Sequence, residues 1–315
     1  MACAAGVGSD DEALQGILCS RSKAQCKRIN VAYKRKFGIL LEDQIKDECS
    51  GDYLQFLKHM VASPAEADAD ALFAALDGIG TTERVLTEII VTASNAQLRV
   101  IQHRYQEKFD RSLIDHISGE VDGDFRDFLV QCLKCERQED AAPDQGLAEQ
   151  QVTRLIKAAK GWGCNEAEFI DIIGKSSIAQ IDLIEAGFME AEGKSLSKLI
   201  EGEMGGDLEW AMLLRLENEL DASCRLLHYA MDGIGTDEGI VSRVIGGAEK
   251  EDVQRIQARY DEKYDASLSK DLGDELAGNL KVAVAKWMDP PSMGYVSGKV
   301  RSILSSFRPH FRPIS

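Results

Sequence analysis

Four short glycine loops, each answered by a glutamate at a fixed distance, are the residues of this chain best placed to do chemistry. The loops are Gly6-Val7-Gly8-Ser9, Gly78-Ile79-Gly80-Thr81, Gly161-Trp162-Gly163-Cys164 and Gly233-Ile234-Gly235-Thr236, and the acids are Glu48, Glu120, Glu203 and Glu275. From the last loop residue to the acid the step is 39 in every case, and a glycine follows three residues later, at Gly51, Gly123, Gly206 and Gly278. Bare backbone offers carbonyl oxygens and the distant carboxylate adds charge. Together they have the composition of half a calcium shell, since calcium takes 6–8 oxygens at roughly 2.3–2.6 Å in flexible geometry.

Such loops need elements to hold them. They start at 6, 78, 161 and 233, so the steps are 72, 83 and 72. The excess of the middle step falls in the polar stretch 135–146, which contains Pro143 and Gly146 and has linker composition. The repeats therefore run 1–62, 63–134, 147–217 and 218–289, as two pairs joined by that linker, with a basic extension at 290–315. In the second repeat Ala67 to Leu76 reads as a helix, and Gly78 and Gly80 break it because glycine tolerates tight-loop angles. Thr81 is placed to cap a new helix striped by Val85, Leu86, Ile89 and Ile90. Asn95 is placed to cap a third helix, bearing Leu98, Ile101, Tyr105 and Phe109. Ser112-Leu113 opens a short fourth helix ending near Glu120, and Phe125, Phe128, Leu129, Cys132 and Leu133 mark a fifth. No stretch alternates with a two-residue period, so the chain reads as all-α, with about five helices per repeat and nearly twenty in total.

Glycine-x-glycine-threonine with an acid 39 residues on, in four repeats of about seventy residues, resembles the annexin family. Met231-Asp232-Gly233-Ile234-Gly235-Thr236-Asp237-Glu238 and Val85-Leu86-Thr87-Glu88-Ile89-Ile90 are similar to its typical segments, and the resemblance covers about residues 4 to 289. It implies a curved helical disc whose convex face binds acidic phospholipid when calcium is present. It also implies a ligand set of three loop carbonyls plus the bidentate glutamate. Carried over, these are Leu76, Gly78, Gly80 and Glu120; Met231, Gly233, Gly235 and Glu275; Ala159, Gly161, Gly163 and Glu203; and Ala4, Gly6, Gly8 and Glu48. Five protein oxygens and one negative charge leave the ion short of both ligands and charge, which a lipid phosphate supplies. Binding is then weak in free solution and tighter on an anionic bilayer, by linkage. In the family a tryptophan in the third loop can insert into interfacial lipid, so Trp162 is read as a membrane contact, against the alternative of a core residue. The other loop tips, Val7, Ile79 and Ile234, are also apolar and extend that contact face. Trp210 and Trp287 sit in helical stretches and read as core.

The chain departs from the family pattern in several places. Only Met1 to Ala5 precede the first loop, so its opening helix is missing and site 1 is expected to be the most mobile. In the third loop Cys164 and Asn165 replace threonine and an acid, which predicts a poorly capped helix and a weakened site. The arginine that annexins often carry late in the second helix is matched by Arg21, but the other positions are Ala93, Ser176 and Ala248, while Glu88 and Arg243 do match. Asp11, Glu83, Glu166 and Glu238 read as helix-dipole partners ahead of extra ion ligands. The segment 290–315 has Lys299, Arg301, Arg308, Arg312 and no acid, and Tyr295, Val296, Val300, Ile303, Leu304 and Phe307 share one helical face. It reads as a surface tail, a basic amphipathic membrane segment, or a cover for the surface left by the missing first helix.

Composition sets the outer bounds. The 315 residues are 44% hydrophobic and carry a formal charge of −16, which repels nucleic acid and, without cations, anionic membranes. No apolar run reaches the ~20 residues of a spanning helix, and Met1 to Gly6 do not read as a secretory signal. Eight scattered cysteines read as reduced thiols of a cytoplasmic protein, with Cys132-x-x-Cys135 a structural pair. Five scattered histidines and the lack of nucleophile or phosphate-loop motifs leave no catalytic constellation, so an enzyme is not expected. The sequence thus predicts a calcium-switched peripheral membrane protein with possible protein or cytoskeletal partners. The competing class is a calcium-independent helical-repeat or cytoskeletal scaffold, which has no need of the 39-residue register.

Overall fold

A computed structural model describes residues 11–78, 80–160, 164–233 and 235–289. Among the described residues every regular element is a helix, and there are nineteen. The first repeat holds α1 (Asp11–Leu18), α2 (Lys23–Phe37), α3 (Leu41–Glu48) and α4 (Gly51–Val61). The second holds α5 (Pro64–Leu76), α6 (Glu83–Thr92), α7 (Asn95–Phe109), α8 (Leu113–Glu120) and α9 (Gly123–Leu133). The third holds α10 (Gln145–Ala158), α11 (Glu166–Lys175), α12 (Ile178–Glu192), α13 (Leu196–Glu203) and α14 (Gly206–Arg215). The fourth holds α15 (Glu219–Met231), α16 (Glu238–Gly247), α17 (Lys250–Tyr264), α18 (Leu268–Glu275) and α19 (Gly278–Met288). The expected segment ahead of α1, its loop at residues 4–8, and the extension 290–315 lie outside the described residues.

Local signals set the helix boundaries, in places one residue away from the expected ones. Ser94, not Asn95, caps α7: its hydroxyl accepts from the Gln97 amide while Gln97 returns a bond to the Ser94 amide at 2.7 Å. The Asn95 side chain instead donates to the Arg137 carbonyl at 2.7 Å. At α6 the cap position is Thr82 rather than Thr81, and it makes no side-chain cap bond. At α11 the cap is Asn165 rather than Cys164, also without a cap bond. The third repeat's helix therefore starts no worse than the second's, and the expected penalty at Cys164 disappears. Of these three repeats only the fourth has a working cap, Asp237, which accepts from the Ile240 amide at 3.0 Å.

Two compact units emerge, one of residues 1–64 with 223–315 and one of residues 65–222. They are repeat pairs, but the pairing is not sequential: repeats two and three share a unit, and repeat one joins repeat four. In the first unit α4 packs along α16 and against α2, α3 and α19. Phe56, Leu57, Met60, Ile245 and Trp287 are fully buried there. In the second unit α6 packs on α14, α9 on α11, and α10 on α12, around Phe128, Leu129, Cys132, Phe169 and Ile173. Trp287 is the expected core residue; Trp210 is only half-buried, with the Arg84 guanidinium 4.7 Å above its ring. None of the seven described cysteines is in a disulfide, and all but Cys164 are buried.

Four buried cations close helix ends in these cores, where the C-terminal carbonyls lack intrahelical partners. Lys23 Nζ donates to the Gly246 carbonyl of α16 at 3.0 Å. Lys250 Nζ donates to the carbonyls of Lys286, Trp287 and Asp289 at the end of α19. Arg137 reaches Ile90 in α6, and Arg215 reaches Ser176 after α11. Arg137 belongs to the polar stretch read as a linker. That stretch is pinned rather than loose: the Gln138 amide bonds the Lys175 carbonyl at 3.0 Å, and Asp144 caps α10. Its last two residues, Gln145 and Gly146, form the first turn of α10.

Candidate metal centres

One backbone bond closes three of the loops in the same way. The Thr82 amide bonds the Ala75 carbonyl at 3.0 Å, Asn165 bonds Ala158 at 3.0 Å, and Asp237 bonds Ala230 at 2.9 Å. Each bond ties the start of one helix to the last turn of the helix before it. The chain between must turn sharply, and glycine takes the turning positions: Gly78 has φ 138° and Gly80 89°, Gly233 118° and Gly235 89°. These four glycines are exposed, while Leu76, at the loop's entrance, is 2% exposed. Met231 and Ala159 are half-buried at the matching entrances. Ile79, Gly161, Trp162, Gly163 and Ile234 lie outside the described residues, as do Ala4, Gly6, Val7 and Gly8.

Each acid is the final residue of an eight-residue helix: Glu48 of α3, Glu120 of α8, Glu203 of α13 and Glu275 of α18. The next residue bonds back into that helix, through Cys49, Val121, Met204 and Leu276 at 2.8–3.0 Å. Three of those next residues are buried, Cys49, Val121 and Leu276, which fixes where the carboxylate emerges. A carboxylate at a helix C-terminus stands at the negative end of the dipole, where it is disfavoured. Helix stability does not explain four such placements. Glu120, Glu203 and Glu275 are exposed, and no ion pair reaches any of the four acids among the described residues.

Loop and acid meet. Thr236 Oγ1 donates to Glu275 Oε2 at 2.8 Å, and Thr81 Oγ1 donates to the Glu120 carbonyl at 3.4 Å. These are the residue pairs between which the register of 39 was counted, so the register is the sequence image of a tertiary contact. The threonine hydroxyl as a brace for the acid was not read from the sequence, although its position was. Gln44 Nε2 supports Glu48 at 3.0 Å.

The first-turn acids Glu83, Glu166 and Glu238 open α6, α11 and α16, as dipole partners should. In the second unit they do more than that. Glu83, Glu120 and Asp124 from one repeat and Glu166, Glu203 and Asp207 from the next line one open cleft of about 580 Å³. Asp124 and Asp207 had no role in the sequence reading; each lies four residues after its glutamate.

Among the described residues no group of three or more His, Cys, Asp or Glu side chains gathers closely enough to hold a metal. A protein-held ion at these loops would therefore draw on backbone carbonyls beside at most two such side chains among the described residues. Carbonyl and carboxylate donors are hard oxygens and the glycine geometry is adaptable, which fits calcium and not a soft or strictly octahedral ion.

The annexin family profile matches four segments, residues 2–60, 67–132, 150–214 and 221–287. Annexin A13 of Mus musculus is 34% identical over 280 residues, covering 88% of this chain and 88% of its own length. Annexin A5 of Bos taurus is 32% identical over 283 residues, covering 89% and 88%. Among solved structures, annexin III superposes with a TM-score of 0.84 at 31% identity, covering 90% of this chain and 89% of its own. The calcium-bound annexin (Sm)1 shares the fold, with a TM-score of 0.77 at 24% identity over 90% of this chain and 86% of its own.

Proposed function

The chain belongs to the annexin family, a family of calcium-dependent phospholipid binders, and we propose that it binds acidic membranes peripherally through calcium held at its glycine loops. The observation that carries the reading is the meeting of loop and acid, with Thr236 bonded to Glu275 and four carboxylates placed at helix C-termini. The carbonyls of Leu76, Gly78 and Gly80 with Glu120, and those of Met231, Gly233 and Gly235 with Glu275, would hold two ions. Ala159, Gly161, Gly163 and Glu203 would hold a third, and Ala4, Gly6, Gly8 and Glu48 a fourth. Calcium supplies positive charge and open coordination positions that a lipid phosphate oxygen can occupy.

The chain's own residues do the rest. A backbone bond ties together the helices that flank the second, third and fourth loops, and a short helix ends at each glutamate. The threonine hydroxyl of the fourth loop limits the Glu275 carboxylate's freedom before any ion arrives, and that of the second ties the loop to the Glu120 backbone. With one carboxylate per ion, four ions offset +8 of the formal −16, which reduces repulsion from acidic lipid. Trp162, Ile79, Ile234 and Val7, each between the two glycines of its loop in the sequence, would rest in the interfacial layer. No described helix is long and apolar enough to cross a membrane. Sedimentation with phosphatidylserine vesicles is the direct test. Pelleting with calcium and release by chelator are expected; equal pelleting under both conditions, or none in either, would reject the proposal.

A further inference from the structure

The second unit has a cavity of about 300 Å³ that the calcium reading does not use. It is lined by the first turns of α7 and α12, through Ser94 and Ser177, and by Arg137, Glu139 and Arg215. Arg137 is 7% exposed and Arg215 4%. Each guanidinium spends an Nη on a helix-end carbonyl, of Ile90 at 3.3 Å and of Ser176 at 2.5 Å. In both, the buried Nε–H has no acceptor among the described residues. Unsatisfied buried donors are rare, and here they leave two buried guanidinium charges under-compensated beside the cavity. Burial, and next the charge of Arg137, push the Arg215 guanidinium down to about 10. Two cations and two helix N-termini around one cavity suit an oxyanion.

The acids decide which oxyanion. Glu139 accepts the Asn95 amide at 3.0 and 3.1 Å and lies 3.7 Å from Arg137 Nη1. A carboxylate has about four acceptor positions, so Glu139 retains capacity. Glu217 and Glu219 also line the cavity and disfavour an anion that carries no proton. The ligand must therefore offer acceptor oxygens to the arginines and an O–H to a carboxylate. A water fills about 30 Å³, so the cavity has room for a tetrahedral ion with several waters. We propose that this cavity binds hydrogen phosphate, its oxygens accepting from guanidinium N–H groups of Arg137 and Arg215 and its hydroxyl donating to Glu139. Sulfate and phosphodiesters, lipid headgroups of that type included, lack the hydroxyl and are selected against. None of the loop or glutamate ligands takes part, so the site stands or falls apart from the membrane reading.

Calorimetric titration of the full chain in chelator, at constant ionic strength and neutral pH, tests this with inorganic phosphate, sulfate and glycerophosphocholine. Saturable 1:1 binding of phosphate is expected, with the two proton-free ligands at least about tenfold weaker, the worth of one good hydrogen bond. Arg215→Lys keeps the charge but loses the fork, and should weaken phosphate about tenfold. Circular dichroism checks its fold, and Arg137→Lys replaces it if the fold is lost. Glu139→Gln, at a partly exposed position, should bring sulfate within about threefold of phosphate. Absence of saturable phosphate binding, equal affinity for sulfate, or unchanged affinity in the folded arginine variants would each overturn the proposal.

Discussion

Glutamate is a poor choice for ending a helix, and this chain makes that choice four times at equivalent positions. The placement predicts a two-sided effect for Glu275→Gln. In chelator its melting temperature should rise by about one degree, because the dipole conflict is relieved. In calcium the ion-induced rise should shrink. A fall in both conditions would mean that Glu275 is structural. Thr236→Val should weaken the calcium effect about fivefold through loss of the 2.8 Å brace, with Thr81→Val milder because its hydroxyl reaches only a backbone oxygen at 3.4 Å. A further residue couples stability to pH. His59 is 6% exposed, and burial, followed by Lys23, Arg243 and Lys58, pushes its pKa down to about 3 from 6.5. The unfolded chain then binds the proton more readily, so His59 costs stability as pH falls from 6.5 toward 3, by about 2 kcal/mol at pH 5. In His59→Gln the difference in melting temperature between pH 7 and pH 5 should narrow.

At the scale of elements, the helices were legible because glycine punctuates them. The helix lengths 13, 10, 15, 8 and 11 of the second repeat return as 13, 10, 15, 8 and 11 in the fourth. The caps were less legible, since Ser94-Asn95 and Thr81-Thr82 each offer two competent residues and only backbone geometry chooses between them. The polar stretch 135–146 hid a buried arginine, because composition reports what a segment contains and not what it touches. Equivalent positions can also exchange chemistry. Phe73 stacks on Phe109 at 3.9 Å in the second repeat, where His228 stacks on Tyr264 at 4.1 Å in the fourth. The glycine loops were legible as a spacing, whereas the cleft that brings Glu120 and Asp124 of one repeat beside Glu203 and Asp207 of the next needed three dimensions. One helix crossing gives its own prediction. A Cβ at Gly246 of α16 would come within 3.0 Å of the Phe56 ring of α4. Gly246→Ala should therefore destabilise by about 1–3 kcal/mol through overpacking, read as a lower denaturation midpoint with an unchanged slope.

For the whole molecule, the formal charge of −16 together with the proposed one-carboxylate sites predicts that membrane binding is a collective property. Glu120→Gln with Glu275→Gln should raise the calcium needed for half-maximal vesicle binding by more than either change alone, because each ion that stays lowers the repulsion met by the next. Unchanged demand in the double variant would remove these acids from the ligand set. The pairing of the first repeat with the fourth has a consequence for how the chain is made. On the ribosome α4 emerges early with Phe56, Leu57 and Met60, but its partner α16 follows only after all of residues 65–222. At typical synthesis rates that wait is on the order of ten to thirty seconds. Throughout it the other unit can close while an apolar helix face stays uncovered, so nascent first-repeat segments are where chaperones should be found and where slowed translation should provoke aggregation.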